Sequence, residues 1–248
     1  MSPLKLEDKC ISLVDAVTKM RAEIVIPDAE ILESVLKFNV VYYTQYPRTW
    51  SNTFYHGIYT CQSVADLWIY QELIFDRKPD LIIETGTGFG GCALYFAHLL
   101  DNMEIDGKVI SIDIQNRASL EHPKITYLTG ESLSDPVMSR VEKETGMAKE
   151  VMVFLDSSHK EDYVYEEIKT YSKFVKLGGY LVVEDTNVQG PVLACDRFIA
   201  DSGEFEIDPA CNKFYLTFNP GGFLRRIKET PAVNIAVEEV ATTAERTR

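Results

Sequence analysis

Residues Leu81–Gly91 read Leu-Ile-Ile-Glu-Thr-Gly-Thr-Gly-Phe-Gly-Gly, and Cys92–Leu100 follow with apolar residues at helical spacing. The stretch is a short apolar strand, then a glycine turn, then the beginning of a helix. Glycines in such a turn let a ligand approach the backbone closely. The stretch therefore predicts the first strand, turn and helix of a nucleotide-binding α/β fold.

Outward from this strand, short apolar runs alternate with helical patterns, as expected for βα units and a largely parallel sheet. Phe205–Ile207 and Lys213–Phe218 predict two further strands, joined by a short turn, that form an antiparallel edge. The five runs that predict parallel strands are Leu81–Ile83, Val109–Ile112, Ile125–Leu128, Val151–Leu155 and Tyr180–Val183.

Three regions are predicted along the chain. Residues 1–75 form a helical N-terminal extension, because Leu4–Met20 and Asp28–Phe38 carry apolar residues at helical spacing. The extension ends in an aromatic, turn-rich stretch, Val40–Tyr59, for which packing on the core is favoured over a lid facing the substrate. Residues 76–227 form the core, and residues 228–248 lack a clear period and are expected to be a flexible tail.

The composition argues against several classes of partner. A formal net charge of -13 opposes the phosphate contacts that dominate nucleic-acid binding. No apolar run approaches the roughly 20 residues that span a bilayer, and the N-terminus lacks a secretion-signal pattern. We therefore expect a cytoplasmic protein that binds neither nucleic acid nor membrane.

The glycine turn fits two cofactors. Gly86, Gly88 and Gly91 satisfy G-x-G-x-x-G, and Asp113 ends the second strand, where a carboxylate binds ribose in NAD proteins. Glu84, however, would face the pyrophosphate of a dinucleotide, and that repulsion is unfavourable. S-adenosylmethionine has no phosphate and carries a sulfonium and an ammonium, so the sequence favours it as cofactor. The alternatives are a helix cap at Glu84 and a simple turn acid at Asp113.

The ends of the fourth and fifth strands also carry acids. Asp156 follows one strand, Glu184 and Asp185 follow the next, and His159 lies three residues after Asp156. Ligands of open α/β sheets bind beyond the carboxyl ends of strands, so these side chains are expected to converge there. An all-oxygen set favours magnesium or manganese over zinc, and an imidazole beside the metal suits a general base. Alternatively, Asp156 caps a helix, His159 is an ordinary first-turn residue, and one of the two adjacent acids orders a loop.

Five motifs between Trp50 and Asn187 resemble the cephalosporin hydroxylase and rhamnosyl O-methyltransferase family, and macrolide-sugar O-methyltransferases are similar at the same places. They are Tyr70-Gln71-Glu72, Pro79–Gly86 with Gly90-Gly91, Leu155–His159, Gly178-Gly179-Tyr180 and Val183–Thr186. The resemblance implies a Rossmann-like class I methyltransferase fold with a seven-stranded sheet. It also implies S-adenosylmethionine as donor, magnesium on Asp156, Glu184 and Asp185, and His159 as base.

By the same resemblance, Glu131 and Ser132 lie near the adenine, and the protein forms homo-oligomers. The expected reaction is O-methylation of a small-molecule acceptor: a sugar hydroxyl, another natural-product oxygen or a primary-metabolite diol. Two other functions remain open, an NAD(P)-dependent oxidoreductase and a non-catalytic binding protein that retains the fold.

Overall fold

The computed structural model describes residues 29–44, 49–118 and 120–229. In chain order the strands are β1 (Phe54–Tyr55), β2 (Ile58–Tyr59), β3 (Leu81–Thr85), β4 (Lys108–Asp113), β5 (Ile125–Thr129), β6 (Val151–Leu155), β7 (Tyr180–Val183), β8 (Phe205–Ile207) and β9 (Phe223–Arg226). The helices are α1 (Ala29–Thr44), α2 (Val64–Arg77), α3 (Gly91–Asn102), α4 (Asp135–Thr145), α5 (Glu161–Tyr171) and α6 (Gln189–Ser202).

One sheet of seven strands, in the order β5-β4-β3-β6-β7-β9-β8, forms the centre. The first five strands in that order are parallel, and β9 runs antiparallel to both of its neighbours. The predicted mostly parallel sheet with an antiparallel edge is confirmed. The chain order reverses between β3 and β6, so the carboxyl ends of these two strands form a topological switch point, where such sheets bind ligands.

The predicted strand at Lys213–Phe218 is wrong, and the seventh strand is β9. Tyr215 has a φ of 58°, outside the extended region. The Phe218 N–H donates to Asp66 Oδ2 at 2.8 Å and its carbonyl accepts from the Asn187 N–H at 3.1 Å, so this backbone joins no sheet. β9 begins after Gly222, where a Cβ would lie 2.1 Å from the Val183 carbonyl oxygen. Phe218 is buried against Tyr42 and Trp50, whereas Phe214 and Tyr215 are exposed, so the alternation of apolar residues in Lys213–Phe218 does not correspond to one face of a sheet.

Both faces of the sheet are covered, which explains why its strands are continuous apolar runs. Ile83, Val153 and Val183 lie on the face covered by α4, α5 and α6. Ile82 and Phe154 lie on the other face, against α2 and α3. Each such fully buried side chain stabilises the fold by about 1.5–3 kcal/mol relative to exposure.

The segment before the sheet packs on the core through aromatic rings. Trp50 and Tyr42 both make edge contacts with Phe218, and Tyr59 contacts Phe89 of the glycine turn. The helix predicted at Asp28–Phe38 corresponds to α1, whereas the one predicted at Leu4–Met20 and all but the first two residues of the predicted tail lie outside the described residues. Among the helices of the described ranges, none is long and apolar enough to cross a membrane.

Candidate active site

The glycine turn after β3 lies directly against the end of β6. Gly86 has a φ of +90°, and a Cβ on it would lie 2.0 Å from the Asp156 carbonyl oxygen. Only glycine therefore fits this contact. Gly88 has a φ of +54° and nothing within 4 Å of the place where its Cβ would lie. The turn thus touches the acidic strand ends on one side and is open on the other.

Asp113, at the end of β4, is bound to the same turn. Its Oδ2 accepts from the Gly88 N–H at 3.0 Å, and its Oδ1 accepts from the Gln115 N–H at 2.9 Å. The second of these bonds is a local turn contact, which is the alternative role that the sequence offered for Asp113. A carboxylate offers about four acceptor positions, so these bonds leave room for a diol ligand.

Glu84 is a buried carboxylate without a basic partner in the described residues. Its side chain is 3% exposed and accepts a hydrogen bond from the Ser111 hydroxyl. Burial raises the pKa of Glu84 to about 7, and the negative charge of Asp113 adds to this rise. The described partners of the Glu84 carboxylate are the side chains of Ser111 and Cys92 and not a backbone N–H of α3, so the alternative role of Glu84 as a helix cap gains no support.

The structure gives less direct support to the other residues that were predicted to bind S-adenosylmethionine. A Cβ on Gly91 would lie 2.4 Å from Thr60 Oγ1, so this glycine accommodates the segment that follows β2. Glu131 is exposed. Ser132 is buried and its hydroxyl is bonded to Glu167 and, at 2.9 Å, to the Tyr163 hydroxyl. Contacts of these three residues with a donor remain predictions.

Three side chains converge where β6 and β7 end. One carboxylate oxygen each of Asp156 and Asp185 and one ring nitrogen of His159 all lie within 4.8 Å of one another. Burial is the main cause that raises the pKa of Asp156, and repulsion by Glu184 and Asp185 raises it further. A divalent cation would relieve this repulsion, and two carboxylates with one imidazole are donors that such ions accept.

Glu184, the third predicted metal ligand, is not one of these three. Its side chain is 5% exposed and its carboxylate accepts from the side chains of Gln62 and Tyr70. The alternative in which one of the two adjacent acids only orders a loop stays a prediction, because both lie after β7, in a turn in which Asp185 has a φ of 54°. Direct ligation by Glu184 stays a prediction.

His159 precedes α5 and is half exposed. Its Nε2 lies 2.9 Å from Asp185 Oδ2, and α6 begins so close that a Cβ on Gly190 would lie 2.0 Å from the His159 carbonyl oxygen. α5 begins after Lys160, and the described hydrogen bond of the Asp156 carboxylate is to Gln62, so the alternative in which Asp156 caps this helix gains no support. An imidazole that donates Nε2–H to Asp185 keeps Nδ1 free to accept a proton.

Sequence reasoning missed the side chains that support the acids. Asn219 is fully buried, accepts from the Asp185 N–H at 2.9 Å and donates to the Tyr70 hydroxyl at 2.7 Å. It thereby stabilises Asp185 in its left-handed conformation, with a φ of 54°. Gln62, between β2 and α2, donates to both Asp156 and Glu184. Gln62 directly precedes Ser63, the N-cap of α2, and no local pattern connects it with residues far along the chain.

The model of one protein family, described as Rhamnosyl O-methyltransferase/CmcI, matches residues 47–227. The chain belongs to this family. A rhamnosyl O-methyltransferase of Mycobacterium leprae (strain TN) is 33% identical over 195 residues, which cover 71% of this chain and 84% of that protein. The predictions of the family and of an S-adenosylmethionine-dependent methyltransferase are thereby confirmed.

Solved structures of CmcI share the fold. An apo structure aligns with a TM-score of 0.60 at 21% identity and covers 72% of this chain and 78% of that one. A CmcI structure with Mg and SAM aligns with a TM-score of 0.57 at 19% identity, with the same coverage. At these identities the alignments establish the class I methyltransferase architecture and not the roles of individual residues.

Proposed function

We propose that the protein transfers a methyl group from S-adenosylmethionine to a hydroxyl oxygen of a small molecule, with magnesium or manganese at the strand-end acids. The observation that carries this proposal is the convergence of Asp156, His159 and Asp185 beside the glycine turn. Because the curated relatives are named rhamnosyl O-methyltransferases, a sugar hydroxyl is the proposed class of acceptor.

The residues suit the two cofactors in different ways. Asp113 is bound to the turn at Gly88, and Glu84 is buried near the end of β3, two residues before Gly86. Negative charge on these acids attracts a sulfonium or ammonium group and repels a pyrophosphate. Asp156 and Asp185 would hold the metal, and Glu184 adds negative charge from behind them. When bound, the metal would act as a Lewis acid that makes an acceptor hydroxyl easier to deprotonate.

His159 would remove the acceptor's proton. Asp185, whose Oδ2 lies 2.9 Å from Nε2, would accept from the ring, orient the imidazole and favour the tautomer in which Nδ1 is the base. The rest of the site positions the reactants: Gly86 fixes the turn against β6, and the buried acids order the donor's charged end. Positioning supplies most of the rate in such a reaction.

The donor assignment is tested by comparing S-adenosylhomocysteine with NAD in thermal unfolding. S-adenosylhomocysteine should raise the Tm and NAD should not, because only a ligand that prefers the folded state stabilises it. A shift with NAD alone would indicate the oxidoreductase that the glycine pattern also fits.

Two matched glycine variants locate the donor. Gly88 and Gly203 both have positive φ and no atom within 4 Å of a Cβ, but Gly203 ends α6 and is not part of the turn. Gly88→Ala and Gly203→Ala should each cost a similar conformational penalty, roughly 1–2 kcal/mol. Only Gly88→Ala should lose the Tm shift with S-adenosylhomocysteine. Equal shifts in both variants would place the donor elsewhere.

A further inference from the structure

Gln62 lies in the segment before the seven-stranded sheet, and its side-chain amide donates to two carboxylates of the acidic site. It lies between β2 and α2, is 3% exposed, and its Nε2 donates to Asp156 Oδ2 at 3.4 Å and to Glu184 Oε2. Its Oε1 is buried and has no hydrogen-bond partner in the described residues. The amide group thus directs its N–H groups at the two carboxylates, while its oxygen is left without a hydrogen bond in the described part of the chain.

The backbone around Gln62 is fixed on every side. Its N–H donates to Thr53 Oγ1 at 3.1 Å, and the Thr53 hydroxyl lies 3.2 Å from the Gln62 carbonyl oxygen. Cys61 before it has a φ of 57°, and Ser63 after it caps α2. The fixed backbone holds the base of the side chain in place, and burial at 3% exposure restricts its rotamers before a metal binds, so the contact is preorganised.

An uncharged amide side chain suits this position better than a cationic side chain would. Lysine or arginine would also donate to both carboxylates, but would neutralise the charge that attracts a metal. A glutamine orients the same oxygens and leaves the charge in place. Carboxylates that bind metals are usually held by such hydrogen bonds, and loss of one typically weakens metal affinity 10–100-fold.

We propose that Gln62 is a positioning residue of the metal site, which holds Asp156 and Glu184 in a common orientation without neutralising them. This inference rests on the proposed function, because it presumes a divalent cation at the strand-end acids. It adds that the metal site depends on a residue of the segment before the sheet.

The test compares Mn²⁺ binding, measured by calorimetry on the full-length protein, in the wild type and in Gln62→Met. Methionine has a similar length and no donor. Mn²⁺ affinity should fall about 10–100-fold, while the affinity for S-adenosylhomocysteine should stay within about twofold. Gln71→Met, in α2, is the matched control, since no bond joins Gln71 to either carboxylate, and should bind Mn²⁺ as the wild type does.

A second variant, Gln62→Lys, keeps the proposal testable if Gln62→Met folds poorly. Lysine restores donation to both acids, so the metal-free protein should be at least as stable as the wild type, but Mn²⁺ binding should be lost. Unchanged Mn²⁺ affinity in either variant, or parallel loss of Mn²⁺ and S-adenosylhomocysteine in Gln62→Met, would overturn the role of Gln62. Absence of Mn²⁺ binding in the wild type would instead refute the metal in the proposed function, and the inference with it.

Discussion

The amino end of the sheet differs from the carboxyl end in how its acids are paired. At the amino end, three acids have basic partners, in the pairs Glu144 with Lys108, Glu150 with Arg77 and Glu204 with Arg226. At the carboxyl end, no lysine or arginine of the described residues forms an ion pair with the acids Glu84, Asp156, Glu184 and Asp185. Among the described residues, His159 is the one basic side chain that pairs with any of these four acids, through Asp185.

This difference is visible in the pKa values of two carboxyl groups. The hydrogen bond from Lys108 lowers the pKa of Glu144, whereas burial raises the pKa of Glu84 to about 7. Strongly raised values in a cleft indicate a functional site more often than a structural one. The paired end contributes to stability, and the unpaired end favours cationic ligands at a cost in stability.

Asp156→Asn should produce the largest effect at the unpaired end. Turnover with magnesium should fall by roughly 10³-fold or more, because Lewis-acid stabilisation is worth several kcal/mol. The metal-free variant should nevertheless melt at a higher temperature than the wild type, since one of the repelling buried charges is removed. Turnover and Tm in chelator are measured on the same preparation. Full activity of the wild type in excess chelator would reject the metal site.

His159→Ala should lower turnover by roughly 10²–10⁴-fold, the range for a positioned general base. Higher pH should partly restore the rate, because hydroxide or buffer can then take the proton. Binding of Mn²⁺ separates two roles, since the ring nitrogen of His159 lies among the converging donors. If His159 is only the base, His159→Ala should bind Mn²⁺ with nearly unchanged affinity. If the variant no longer binds Mn²⁺, His159 is a metal ligand and the proposed reaction has no assigned base.

Glu84→Gln should stabilise the ligand-free protein, with a definite pH dependence. A raised pKa means that the folded state binds the proton more tightly than the unfolded state does. The wild type therefore loses stability as pH rises from 4.5, the ordinary value, to about 7. Above that range Glu84→Gln should be more stable by about 3 kcal/mol, since one pKa unit corresponds to about 1.4 kcal/mol. Urea titrations at pH 4.5 and 8 measure the difference. A gap that does not grow with pH would contradict the raised pKa.

The strand-end acids could be predicted because each lies next to its own strand in the sequence. Residues Leu81–Gly91 show a strand, a turn and a helix start, and the pattern recurs in weaker form at Asp156 and at Glu184. Parallel strands then bring these acids to one edge without any knowledge of side-chain packing. The family resemblance added roles for the same residues.

Two features of the structure could not be predicted from local sequence patterns. Lys213–Phe218 alternates like a strand, but Asp66 and Asn187 take up its backbone hydrogen bonds at Phe218. Gln62 meets Glu184 across 122 positions of sequence. Both features depend on contacts between segments that are far apart in the sequence, and the periodicity of apolar residues within one segment does not predict such contacts.

Glu144→Gln should have the smallest effect on stability, and its sign should be opposite to that of Glu84→Gln. Lys108 is 41% exposed and the Glu144 side chain 11%, so the pair lies near the surface and is worth under about 1 kcal/mol. Because the pKa of Glu144 is lowered in the folded state, its stabilisation is present above the ordinary value of 4.5 and is lost as pH falls through the folded value. At pH 8 the variant should therefore be slightly less stable than the wild type, the gap should shrink in high salt, and it should vanish at low pH. If Glu144→Gln instead stabilised the protein at pH 8, as Glu84→Gln is expected to do, the two ends of the sheet would not differ in the way their acids are compensated.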